Sequence, residues 1–139
     1  MSDLNQEKNS VKNIFSGKNC LITGATGGLG KELAKLLAKK NCNLFLTGTN
    51  NSKLSTFSEE LKTSNKDSKI SFQASNLNNY EEIKKLVEQV RKEFSSVDIL
   101  VNCAGIFLRK SLSESSSEEI KNCFNVNVQA PILLSKEFS

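Results

Sequence analysis

Apolar positions along this chain keep two rhythms in turn. The short run Cys20-Leu21-Ile22-Thr23 ends in a glycine cluster and predicts a buried strand. Leu29, Leu33, Leu36 and Leu37 follow at helical spacing. Leu44-Phe45-Leu46-Thr47 is a second strand, stopped near Gly48, and Leu54, Phe57 and Leu61 put an apolar stripe on a second helix. Ile70-Ser71-Phe72-Gln73-Ala74 is a third strand. Asn79 and Glu82 form a capping-box-like start for a helix carrying Ile83, Leu86, Val87, Val90 and Phe94, the clearest 3.6-residue period in the chain. Val97-Asp98-Ile99-Leu100-Val101 is the fourth strand. Ser116 and Glu119 offer another capping pair, ahead of Ile120, Phe124, Val128 and Ile132.

Strands separated by helices imply an α/β domain, a parallel sheet with helices on its faces. Right-handed crossovers then fix the topology. The expected strand order is 3-2-1-4, the first four β-α units of a doubly wound, Rossmann-type sheet. Residues 1–16 read as a flexible polar leader that could be pinned near Val11, Ile14 and Phe15, and 17–139 as the domain itself.

Composition adds exclusions. A length of 139 residues suits one domain and is short for two. The 19 basic and 15 acidic residues leave +4 without a clustered stripe, so no nucleic-acid partner is expected. No apolar run approaches the roughly 20 residues that span a bilayer, so no membrane partner is expected either. Met1 to Lys18 has no apolar signal-peptide centre, which points to the cytoplasm. Cys20, Cys42, Cys103 and Cys123 include no C-x-x-C pair and the chain has no His. That excludes a close-paired zinc site and any Ser–His or Cys–His dyad, so no metal is expected and the thiols read as reduced and mostly buried.

The glycine cluster carries the candidate chemistry. Thr23-Gly24-Ala25-Thr26-Gly27-Gly28-Leu29-Gly30 lies between a strand and a helix. Glycines let backbone approach a ligand closely, and the helix behind them presents unpaired N–H groups and a positive dipole end, so a pyrophosphate fits. The spacing is not a P-loop, because Lys31 is followed by Glu32, and not G-x-G-x-x-G, because position 33 is Leu.

T-G-x-x-x-G-x-G in this place resembles the short-chain dehydrogenase/reductases. Asn102-Cys103-Ala104-Gly105 after the fourth strand resembles that family's N-N-A-G motif, with Cys103 in place of the second Asn. Asp98 stands where D-x-L-V-N-N-A-G places its Asp, and Asn125-Val126-Asn127 resembles the V-N segment. Within the family the string is most similar to 3-oxoacyl-acyl-carrier-protein reductases. The resemblance covers roughly 17–139. It implies that Gly24, Ala25, Thr26, Gly27, Gly28, Leu29 and Gly30 hold the pyrophosphate, that Asn76 and Leu77 contact the adenine, and that Asn102, with Ala104 and Gly105, faces the cofactor ribose. It also matches Asn127 to the catalytic Asn. An NAD site of this fold offers an acid at the end of strand two, near Thr47 to Asn50. No acid occurs between Glu32 and Glu59, which favours NADP over NAD, with Thr49, Asn50 and Lys53 as candidate partners of a 2′-phosphate.

The resemblance also implies a Ser, a Tyr and a Lys for proton transfer, the last two as Y-x-x-x-K after a fifth strand. Tyr80-Glu81-Glu82-Ile83-Lys84 matches the letters but precedes Asn102, and reads as the first turn of a helix. Pro131, four residues after Asn127, should kink the last helix and free the Asn127 carbonyl to hold a water. The chain therefore reads as truncated before strand five, inactive alone, with strand four as an open apolar edge. The full-length form would be a homo-oligomer. The parent enzyme would transfer hydride between NADP(H) and a small carbonyl or secondary alcohol, including an acyl thioester. The alternatives are a non-catalytic dinucleotide-binding or assembly module and a fold relative acting on nucleotide sugars.

Overall fold

The computed structural model describes residues 13–139. Its elements are β1 (Asn19–Thr23), α1 (Gly28–Lys39), β2 (Asn43–Gly48), α2 (Asn51–Ser64), β3 (Ile70–Ala74), α3 (Tyr80–Glu93) and β4 (Ile99–Asn102). A short 3₁₀ turn (Leu112–Glu114), α4 (Ser117–Phe124), a π-helical turn (Asn125–Gln129) and α5 (Ala130–Phe138) complete the chain.

The four strands form one parallel sheet in the order β3-β2-β1-β4. Alternate residues of each strand face opposite ways, and this divides the core in two. Cys20 and Ile22 of β1 and Leu44 and Leu46 of β2 pack with Ala34 and Ala38 of α1 and Leu54 and Phe57 of α2. Leu21 and Phe45 point to the other face, against Leu86 and Val90 of α3 and Ala130 and Leu134 of α5. Phe45 and Phe94 meet edge to face, with centroids 6.3 Å apart. The sheet is therefore covered on both faces, as the strand–helix alternation predicts.

Caps fix the helix starts. The Asn79 side chain accepts the Glu82 N–H, acids fill the first turn of α3, and Arg91 and Lys92 fill its last, which suits the helix dipole. Ser116 and Glu119 make a complete capping box on α4. Glu82 does not reach back to Asn79: its carboxylate takes the Asn76 N–H at 2.6 Å, so only half of the expected box exists there.

Three details differ from the pattern reading. In α1 the buried positions are Gly30, Ala34 and Ala38, while Leu29 and Leu36 are exposed. Small side chains let this helix lie close to the sheet; Leu37 packs partly buried against the core, while Leu29 and Leu36 fall outside the contact. β4 begins at Ile99, because Asp98 instead clasps Asn19: the Asn19 N–H donates to its carboxylate and its own N–H donates to the Asn19 carbonyl, both at 2.8 Å. The helix ahead of Pro131 is widened into a π turn, in which Ala130 N–H donates to the Asn125 carbonyl five residues back. Proline cannot donate to the carbonyl of residue 127, and the wider turn is the local arrangement found beside it.

The leader predicted over 1–16 lies mostly outside the described residues, Val11 included. Of its last residues, Asn13 donates from Nδ2 to the Lys40 carbonyl at 2.9 Å and Phe15 packs on the core. No helix among the described residues is long and apolar enough to cross a membrane.

Candidate functional site

The carboxyl ends of the parallel strands surround a cavity of about 430 Å³. Gly24 turns the chain away from β1 at φ +60, a left-handed backbone. A Cβ there would lie 2.7–2.8 Å from the Ala104 N and Cα and the Cys103 carbonyl carbon. The glycine turn thus touches the loop after β4 backbone to backbone, and the Ala104 N–H donates to Thr23 Oγ1 at 3.1 Å across the same seam. A Cβ on Gly30 would fall on the Gly24 carbonyl oxygen, so that position admits no side chain. Gly27 caps α1 without a side-chain hydrogen bond, and no acid stands in the first turn. The positive end of α1 is left free for an anion.

The second wall comes from the ends of β2 and β3. Thr47 Oγ1 donates to the Gln73 carbonyl at 2.8 Å, and the Ser75 N–H donates to the Gly48 carbonyl at 2.9 Å. Asn76 is held in a tight loop: its N–H goes to Glu82, its Oδ1 accepts the Asn78 N–H at 3.0 Å, and its carbonyl accepts the Asn79 N–H at 3.0 Å.

The third wall is the loop after β4, and Asn127 sets its shape. Asn127 Oδ1 accepts the Ile106 N–H at 2.8 Å and Asn127 Nδ2 donates to the Ile106 carbonyl at 2.6 Å. The π turn therefore carries an amide that clamps one residue of the cleft loop on both sides. A chain of side-chain amides joins the last two walls: Asn125 Nδ2 donates to Asn78 Oδ1 at 2.9 Å, and Asn78 Nδ2 donates to Asn122 Oδ1 at 3.0 Å.

Of the residues singled out from sequence, Gly24, Thr26, Gly27, Thr49, Asn76, Leu77, Ala104 and Gly105 line this cavity. Ala25 is buried in the core, Gly28 and Leu29 sit exposed on the first turn of α1, Gly30 packs under the turn, and Asn102 ends β4 facing solvent. Thr47, Gly48, Ser75, Asn78, Cys103, Ile106, Asn122 and Val126 also line it and were not predicted. Position at a strand's carboxyl end could have flagged Ser75; the two amides, Asn78 and Asn122, are far apart in sequence and carry no periodic signal.

Tyr80 stands apart, 57% exposed, with Lys84 Nζ 5.4 Å from its ring centroid. It opens α3 and does not line the cleft. A second cavity of about 370 Å³ adjoins Thr26 and is lined by Lys31, Ser52, Lys53, Thr56, Phe57 and Glu60. Lys31 Nζ lies over the Phe57 ring at 5.3 Å. Asn50, a candidate phosphate partner, uses its Oδ1 to cap α2 by accepting the Lys53 N–H at 2.9 Å. All four thiols are free. The hydrogen bond with Cys42, together with burial, pushes the Cys20 thiol up, so it stays protonated in the core.

A family model described as short chain dehydrogenase matches residues 18–139. An uncharacterized oxidoreductase of Staphylococcus saprophyticus is 30% identical over 115 residues, 83% of this chain and 49% of that protein. A 3-oxoacyl-[acyl-carrier-protein] reductase of Rickettsia bellii is 33% identical over 123 residues, 88% of this chain and 47% of its own length. The crystal structure of L-sorbose reductase from Gluconobacter frateurii, complexed with NADPH and L-sorbose, superposes with a TM-score of 0.87 at 26% identity, over 92% of this chain and 48% of that one. The chain spans about half the length of the curated relatives it matches.

Proposed function

Because the chain belongs to the short-chain dehydrogenase family of oxidoreductases, we propose that its cleft binds NADP(H) and forms the cofactor-holding part of a cytoplasmic enzyme. That enzyme moves hydride between the nicotinamide and a carbonyl or secondary alcohol of a small molecule, an acyl thioester included. The bound nicotinamide would supply the hydride chemistry. This chain's residues bind and orient it: the free end of α1 and the Gly24 turn receive the pyrophosphate, Asn76 and Leu77 flank the adenine, and Ala104 and Gly105, shaped by Asn127, back the ribose. Asn127 carries the expectation of a catalytic role; the contacts present support positioning of the Ile106 loop.

The observation that carries this reading is an anion-ready α1 terminus opening on a cleft with no carboxylate among its lining residues. A carboxylate at the end of β2 would select NAD by hydrogen bonding the ribose 2′-OH. Thr49 stands there instead, and Lys31 and Lys53 border the adjoining cavity across Thr26. Their ammonium groups supply the positive charge that a 2′-phosphate needs, and that the turn itself, with Gly27, does not. Titration with NADPH and NADH tests this. NADPH is expected to bind more tightly, and Lys53→Ala to weaken NADPH about fivefold, worth about 1 kcal/mol, while leaving NADH unchanged. Tighter NADH binding would contradict the reading.

A second reading, a non-catalytic dinucleotide-binding or assembly module, has one observation in its favour. Among the described residues no tyrosine or lysine lines the cleft, and Tyr80, the single tyrosine of the sequence, lies outside it. Both readings have these 139 residues holding dinucleotide without turnover, and carbonyl reduction by the purified chain would contradict both.

A further inference from the structure

Asn78 and Asn122 line the 430 Å³ cleft, one in the turn after β3 and the other near the end of α4. Asn125 stands outside the lining, as the first residue of the π turn. The three side chains form a directional chain. Asn125 Nδ2 donates to Asn78 Oδ1 at 2.9 Å, and Asn78 Nδ2 donates to Asn122 Oδ1 at 3.0 Å. The bonds join residues 47 and 44 apart in sequence, so they hold tertiary structure and not a local turn. At the Asn125 end the chain passes into the backbone, whose Asn125 carbonyl accepts the Ala130 N–H within the π turn. Two residues on, Asn127 grips Ile106 at both its N–H and its carbonyl. Linked side-chain amides therefore run from the β3 wall of the cleft to the clamp on the loop after β4. Hydrogen bonds in such a chain polarise one another, and each strengthens where water is removed from beside it. A nucleotide lying in the cleft removes that water, because two of the three amides belong to the cleft lining.

We infer that Asn78 and Asn125 are positioning residues that carry occupancy of the β3 wall to the Ile106 loop, so that the adenylate half of a bound dinucleotide tightens the Asn127 clamp. The inference rests on the dinucleotide reading above and goes beyond it, since recognition of the cofactor does not itself require the π turn to be tied to the turn after β3. Asn125 acts through Asn78 and Asn127 and not by touching the ligand.

The test uses 2′,5′-ADP, which has the adenine, ribose and 2′-phosphate of NADPH and lacks the nicotinamide. The readout is hydrogen exchange at the Ile106 amide, followed by NMR. At saturation the nucleotide is expected to slow that exchange about fivefold in the unsubstituted 139-residue chain, the size of one strengthened hydrogen bond. Asn125→Ala cuts the chain without altering a residue of the cleft lining. It should bind 2′,5′-ADP with unchanged affinity and lose the slowing. A structural role alone would speed exchange in Asn125→Ala by one factor with and without nucleotide. The ratio seen in the unsubstituted chain would then be retained, and that result overturns the inference. Exchange that is not slowed in the unsubstituted chain while 2′,5′-ADP is bound overturns it too, and dinucleotide binding survives either outcome. If neither 2′,5′-ADP nor NADPH binds the unsubstituted chain, the functional reading fails and the inference with it. If Asn125→Ala does not fold, the same ratio is read in Asn78→Ala, which removes both bonds of the chain, and a retained ratio there overturns the inference equally.

Discussion

Gly24 and Gly28 occupy one turn yet answer to different constraints. Gly24 is left-handed and abuts the backbone of Cys103 and Ala104. Gly24→Ala should cost about 1–2 kcal/mol for the backbone conformation and a further roughly 1–3 kcal/mol for the displaced loop, and should abolish NADPH binding. A Cβ on Gly28 meets nothing within 4 Å, so Gly28→Ala should keep the fold and gain up to about 1 kcal/mol. Denaturant melts of the two variants decide this; equal losses would contradict it. The motif letters in T-G-x-x-x-G-x-G mark these glycines alike, because a sequence carries neither φ nor the neighbour across the turn. The thiols are similar. Cys20 and Cys42 are fully buried, whereas Cys103 lines the cleft. A maleimide should modify Cys103 and Cys123 and spare the other two, and NADPH should protect Cys103. Labelling of Cys103 that is indifferent to NADPH would argue against ligand in this cleft.

Whole elements were read from the sequence where burial follows a period and a cap marks the start. In α3, Ile83, Leu86, Val87 and Val90 are buried and Asn79 caps the helix, as the 3.6-residue spacing and the Asn79 side chain predict. In α1 the leucine spacing misleads, because close helix–sheet contact selects Gly30, Ala34 and Ala38. Ala34→Leu should overpack that contact and cost about 1–3 kcal/mol, where an exposed Leu36→Ala should change stability little. Around Pro131 the sequence predicts a break in the regular helix, and the structure resolves it as a π turn whose Asn127 side chain clamps Ile106. Asn127→Ala should speed amide exchange at Ile106 and cost roughly 1–3 kcal/mol if its partners stay unpaired; unchanged exchange would contradict the clamp. At the start of α4, the Lys110 ammonium and the Ser116 N–H and hydroxyl hold the Glu119 carboxyl down, from the usual 4.5 to about 2. A folded-state pKa below the unfolded one stabilises above the unfolded value and loses that contribution as pH falls toward the folded value. The contribution of Glu119 is therefore expected to be full at neutral pH and to disappear between about 4.5 and about 2; a carboxyl titration by NMR with a midpoint near 4.5 would contradict it.

At the scale of the molecule, strand order was legible because right-handed crossovers leave few topologies, while the cleft was legible only in part: the motifs mark Gly24, Asn76 and Ala104, but not Ser75, Asn78 or Asn122, which come from segments distant in sequence. The sheet ends in β4, whose residues are only half-buried. Ile120, Phe124, Val128 and Ile132, spaced four residues apart along the last helical segments, are all exposed, Phe124 and Ile132 at 64% and 63%. An exposed edge and apolar side chains favour association, and a homo-oligomer is what the sequence resemblance implies for the full-length form. The 139-residue chain should show a concentration-dependent mass in light scattering, and Phe124→Glu should lower it; a monomer at all concentrations would count against that association. The central claim is that the carboxyl ends of the strands receive NADPH, and amide chemical-shift mapping of the labelled chain during NADPH titration tests it most directly. The account predicts saturable shifts at Gly24, Thr26, Gly27, Thr49, Ser75 and Ala104. Shifts confined to the opposite end of the sheet, at Asn19, Asn43 and Lys69, or no saturable shifts at all, would contradict it.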